Sequence, residues 1–90
     1  MLLRAYLAEF LASILVVYVV LETGNSLAIG AAYALGRILA APLSGGHINP
    51  LITVALASGD YFPIMEILPY VVSQILGGIL AVHVYKNYRL

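Results

Sequence analysis

Long apolar runs alternate with short polar punctuation along this chain. Residues 3–21, 27–42 and 64–85 are each long enough as helix, at about 1.5 Å per residue, to approach or cross a ~30 Å hydrocarbon layer. Glu22-Thr23-Gly24-Asn25 is a turn cluster between the first two runs, and Gly59-Asp60-Tyr61-Phe62-Pro63 marks a turn before the third. The second run is expected to end near Pro42, and Pro69 can bend the third near its start. Between them lies Ser44-Gly45-Gly46-His47-Ile48-Asn49-Pro50-Leu51-Ile52-Thr53, a glycine-rich stretch that starts a helix. Asn49 is a favourable N-cap, Pro50 fits the first helical position, and Gly59 can end the helix in a left-handed cap. A helix over 50–58 reaches roughly 14 Å, half a bilayer core. Irregular backbone is tolerated at that depth only against protein or water, so the loop and half-helix at about 44–58 read as re-entrant and cavity-lining. The predicted fold is all-α and membrane-embedded: three transmembrane helices plus one re-entrant half-helix.

Composition narrows the class. Apolar residues make up 63% of the chain and charged residues 9%, with a mean hydropathy of +1.05, which places it as an integral, multi-pass membrane protein. A net charge of zero with no basic patch leaves nucleic-acid binding without an electrostatic footprint. The chain has no cysteine, so no disulfide framework is available. Glu9 interrupts the first apolar run, which favours a retained span over a cleaved signal peptide. No Ser/His/Asp arrangement or phosphate-binding loop points to an enzyme, and a lone His47 supplies no zinc ligand set, so neither cofactor nor metal is expected. Tyr61, Phe62, Tyr85 and Tyr88 fall at span ends, where amphipathic rings favour headgroups, and His83 is expected at an interface too. Small residues recur at four-residue spacing, as Ala8 and Ala12 and as Ser73, Gly77 and Ala81, and permit close helix contacts common to many membrane bundles.

The segment Ser44 to Thr53 resembles the Ser-Gly-x-His-x-Asn-Pro-Ala-Val-Thr of the first repeat of the aquaporin and aquaglyceroporin (major intrinsic protein) family. Ala8-Glu9-Phe10 resembles that family's first helix, Gly30 falls on its second-helix glycine, and Tyr70, Gln74 and Gly77 resemble its third. Leu51 stands where the family has Ala. The resemblance covers residues 1–90 as a single half-aquaporin repeat. It implies a channel subunit for passive movement of water or small neutral solutes such as glycerol. Asn49, Gly45, Gly46, His47, Ile29 and Ile52 would line the passage, and Glu9, Gln74, Pro50 and Leu51 would support the loop. Tyr33 and Arg37 share the helical face of Ile29 by four-residue spacing and would line the passage with it, the alternative for Arg37 being a side chain that snorkels to headgroups. For Glu9 the alternative is a proton relay, and for His47 a pH gate. Asn49 could instead be an ordinary cap. In water channels the positive end of a half-helix is a recognised barrier to cations and protons.

Family members fold from two repeats in one polypeptide, and this sequence carries one Asn-Pro motif. An antiparallel homodimer would supply the missing half, since inverted repeats build sites at the midplane. Arg4 and Arg37 fall toward one membrane side and Lys86 and Arg89 toward the other, a balance that favours neither orientation. Four such pairs would give eight chains and four pores. Ile29 aligns with the family's second-helix constriction, and Gly46 and Ile52 with its loop positions. The family's second repeat normally has Arg where Ile52 stands, so a two-copy passage is wider and more apolar, and glycerol-like solutes fit it. The competing readings are a non-conducting structural or regulatory membrane protein derived from such a repeat, and a half-channel that pairs with a different half-repeat.

Overall fold

A computed structural model describes residues 2–88. It contains α1 (Leu2–Thr23), α2 (Ser26–Ser44), α3 (Pro50–Ser58), a 3-10 turn (Ile64–Glu66) and α4 (Ile67–Tyr88), with no strand among the described residues. Three helical stretches are long and apolar enough to cross a membrane: Leu2–Thr23, Ser26–Ser44 and Ile64–Tyr88, with mean hydropathies of 1.9, 1.4 and 1.8. Arg89, one member of the charge balance, lies outside the described residues.

Helix α1 is the centre of the bundle and packs on both α2 and α4. Its buried face is Ala5, Ala8, Glu9, Ala12 and Ser13, and the alanines and serine are small enough to admit neighbouring backbone. Helix α2 returns antiparallel along it, and a Cβ on Gly36 would lie 3.5 Å from the Ala12 Cβ. Helix α4 runs parallel to α1, as the edge-to-face pairs Tyr6–Tyr70 at one end and Tyr18–Tyr85 at the other require. Gly77 and Ala81, two of the four-residue-spaced small positions, are buried in α4; Ser73, the third, is half-buried and bonds back to the Pro69 carbonyl. Large apolar side chains such as Leu11, Leu27, Ile38, Leu68 and Leu76 cover the outside.

Helix boundaries depart from the sequence reading in three places. Asn25 is more than turn residue: its Oδ1 accepts from the Ala28 N–H and caps α2. Pro42 does not end α2, which continues to Ser44 and stops at Gly45, left-handed at φ 87°, whose N–H bonds the Ala41 carbonyl. Proline costs a helix one N–H bond and a clash one turn back, and a last turn can accommodate both. Gly59 is not the left-handed cap of α3, since its φ is −100°. Asp60 takes that role at φ 66°, with Asp60 N–H on the Ala57 carbonyl and Tyr61 N–H on the Leu56 carbonyl, the Schellman pairing. A short polar side chain tolerates this region, whereas a Cβ at Gly59 would press on the Tyr61 ring at 3.1 Å.

Candidate functional site

Four donors converge on the Glu9 carboxylate, two on each oxygen. Ser44 Oγ at 2.6 Å and the His47 N–H at 3.0 Å reach Oε2, while the Ile48 N–H at 2.8 Å and Gln74 Nε2 at 2.8 Å reach Oε1. A carboxylate offers about four acceptor sites, so this one is filled. Glu9 has no exposed surface, and its burial is balanced by dipoles from α2, the loop and α4 rather than by a cation.

A second layer extends from Gln74, whose Nε2 also donates to Thr53 Oγ1 at 2.9 Å. Thr53 Oγ1 in turn pairs with His47 Nδ1 at 2.9 Å. Gln74 Oε1 is buried without a protein partner. Turning the amide over would set that oxygen against the carboxylate, so Nε2 stays inward. The His47 ring is covered by Phe62 and Tyr70, with centroids 4.7 and 5.3 Å away, and the Tyr70 hydroxyl donates to the Ser44 carbonyl at 2.8 Å.

These contacts fix an irregular backbone. Gly46 is left-handed at φ 65°, and a Cβ there would stand 2.9 Å from the Arg37 carbonyl oxygen, so conformation and space both demand glycine. Ile48, also left-handed at φ 64°, is a β-branched residue in a region that costs it about 1–3 kcal/mol. Its N–H is held by Glu9, its carbonyl lies 3.5 Å from Ser13 Oγ, and its side chain seats at Gly36.

The loop turns the chain so that Asn49 is exposed. Its backbone is extended, and its Oδ1 accepts from the Leu51 N–H at 2.8 Å, capping α3 with Pro50 at the first position. The amide nitrogen has no protein partner among the described residues, so two N–H donors stand free at the positive end of a helix. Arg37 is exposed beside the loop, and one turn earlier the Tyr33 hydroxyl donates to the His47 carbonyl.

The residues singled out from the sequence therefore fall into two layers. Glu9, Gln74, His47 and Gly46 are buried; Asn49, Arg37, Gly45, Leu51 and Ile52 are exposed; Ile29, Tyr33 and Pro50 lie between. The His47 ring is held from one side by Thr53 and covered by Phe62 and Tyr70, and the residue is 7% exposed. Leu51 is 70% exposed and serves the loop through its N–H rather than its side chain. Of the aromatic residues at span ends, Phe62 packs its ring on His47 and Tyr85 packs on Tyr18. Within the chain nothing approaches a Cβ at Gly30, and the structure gives no account of that glycine. Ser44, Thr53, Tyr70 and Phe62 were missed as parts of the network. The available signal was polarity: Ser44 and Thr53 are polar side chains flanking an Asn-Pro motif between apolar runs. Among the described residues no three His, Cys, Asp or Glu side chains gather to hold a metal.

The profile of the major intrinsic protein family matches residues 1–89, nearly the whole chain. The chain belongs to that family. Major intrinsic proteins are integral, multi-pass membrane channels, and the three long apolar helices agree with that placement. A glycerol uptake facilitator protein-like 6 from Lactiplantibacillus plantarum is 35% identical over 94% of this chain and 44% of its own length. Aquaporin Z from Photorhabdus laumondii is 49% identical over 54% of the chain and 19% of its own length, and aquaporin Z from Bradyrhizobium diazoefficiens 49% over 64% and 24%. The chain thus spans less than half the length of these curated relatives. No solved structure gives a significant match.

Proposed function

We propose that this chain supplies one half of a transmembrane passage for water and small neutral solutes such as glycerol, with α3 as a re-entrant half-helix. The observation that carries the reading is Asn49: an exposed cap with free amide donors at the start of a nine-residue helix, on a loop held by a buried carboxylate. A carboxylate filled by four donors is a fastening, and none of its hydrogen-bond partners among the described residues is a second carboxylate that could relay a proton. The names of the relatives, aquaporin and glycerol uptake facilitator, support the solute class.

One half-helix of roughly 14 Å lines half a bilayer core, so an opposing half is required. An inverted second copy provides it by bringing two Asn49 side chains together from opposite faces. Lys/Arg balance supports insertion in both orientations, because Arg4 and Lys86 sit at opposite ends of parallel α1 and α4. Four such pairs would form eight chains around four passages. Purified chain in proteoliposomes, followed by stopped-flow light scattering with water and with glycerol, should show flux above that of empty liposomes. Crosslinking should join Asn49 neighbourhoods from opposite faces. Absence of flux from assembled protein would favour a non-conducting packing or regulatory role; flux appearing only with a different half-repeat would identify a hetero-pair.

A further inference from the structure

We infer that Tyr33 sets the bore and the polar lining of the passage at the level of the loop, an inference that rests on the channel reading above. Helix α2 passes the loop in step: Arg37 lies against Gly46, and one turn away Tyr33 donates its hydroxyl to the His47 carbonyl. A free loop carbonyl accepts a hydrogen from a passing water or alcohol. Here one of that carbonyl's two lone pairs is already engaged, and the phenol oxygen, its proton committed, adds its own lone pairs beside it.

The ring itself is half-buried and packs on the apolar cluster of Ala8, Ala12, Ala40 and Ile48, which fixes its base. It cannot leave without breaking both the packing and the hydroxyl bond. A rigid aromatic therefore stands between Ile29 and Arg37 on one row of α2, beside the loop at His47. A solute at this level meets the Tyr33 phenol oxygen as an acceptor, and donors at the Asn49 amide. It must donate and then accept, and it must fit past the ring.

The test compares wild type with Y33F and Y33V, each verified as assembled by size-exclusion chromatography, for water, glycerol and xylitol flux in proteoliposomes. Y33V removes ring and hydroxyl, and should raise xylitol flux severalfold relative to glycerol. Y33F keeps the ring, removes the phenol oxygen and moves the acceptor back to the His47 carbonyl; the xylitol-to-glycerol ratio should stay at the wild-type value while the glycerol-to-water ratio shifts by up to roughly fivefold, the worth of one repositioned hydrogen bond. If both variants scale all three fluxes by one common factor, Tyr33 is only a brace on the loop and the inference fails. Should Y33V not assemble, an unchanged glycerol-to-water ratio in Y33F overturns it. A conducting wild type with unmoved ratios sinks this inference alone, whereas a wild type that passes no solute sinks the channel reading with it.

Discussion

A Cβ placed on Gly77 would stand 2.4 Å from the carbonyl oxygen of Phe10 and 3.1 Å from the Ser13 Cβ, so α4 meets α1 backbone to backbone. That contact sets Gln74, one turn earlier on α4, within reach of Glu9. Gly77→Ala should push the helices apart at a cost of about 1–3 kcal/mol, typical of overpacking. Lower thermal stability in detergent, with loss of the monodisperse peak, is the expected readout.

Glu9→Gln tests the fastening itself. The glutamine amide would turn its nitrogen toward two of four donors and leave them buried without an acceptor. The expected loss is on the order of 3 kcal/mol, since bonds to a charged group contribute more than neutral ones. Proteolysis of 44–58 in detergent should accelerate before the long helices unfold. A variant as resistant as wild type would remove Glu9 from the loop's support.

Three left-handed glycines should respond to alanine in a definite order. Gly24, at φ 54° with nothing within 4 Å, should lose only about 1 kcal/mol of backbone strain. Gly45 adds ordinary contact with the His47 ring at 3.5 Å and should lose little more. Gly46 adds a collision with Arg37 backbone, for roughly 2–5 kcal/mol in all. Denaturant midpoints for the three variants check the ranking.

Asn49→Ala should cost about 0.5–2 kcal/mol through the lost cap. Its permeability should fall further than that stability change explains when flux is normalised to assembled protein. Equal flux would reduce Asn49 to a cap.

Arg37→Gln separates a vestibule charge from a lipid anchor. If Arg37 guards the passage, neutral-solute flux stays close to wild type while cation leak rises in low salt and is masked at high salt by screening. Planar-bilayer conductance at two ionic strengths measures this; an unmoved leak assigns Arg37 to the headgroups.

Local chemistry made the secondary structure legible. Asn49-Pro50 carries its own cap and first-turn geometry, so the start of α3 could be read directly, and predominantly apolar composition announced the three long helices. The helix ends were less legible because they depend on the next residue's environment. Gly59 had the permissive backbone, yet the left-handed turn falls one residue later, at Asp60, where the bonds to Ala57 and Leu56 close the helix. Pro42 looked like a stop but lay within a turn already closing on Gly45. At the candidate site, resemblance and polarity singled out Glu9 and Gln74, whereas Ser44, Thr53 and Tyr70 joined them only through contacts between α1, the loop and α4. No spacing along the chain encodes those contacts.

The left-handed Ile48 has a consequence for biosynthesis. Its conformation persists only while Glu9 receives its N–H, and Glu9 is satisfied on every side only after α4 delivers Gln74. The ribosome threads α1 and α2 into the membrane first, at a stage when residues 45–58 have no seat and only Ser44, of the four donors, is in place on the carboxylate. The short helix must therefore dock last, and insertion machinery that releases the α1–α2 pair before α4 emerges would commit an acidic group to lipid.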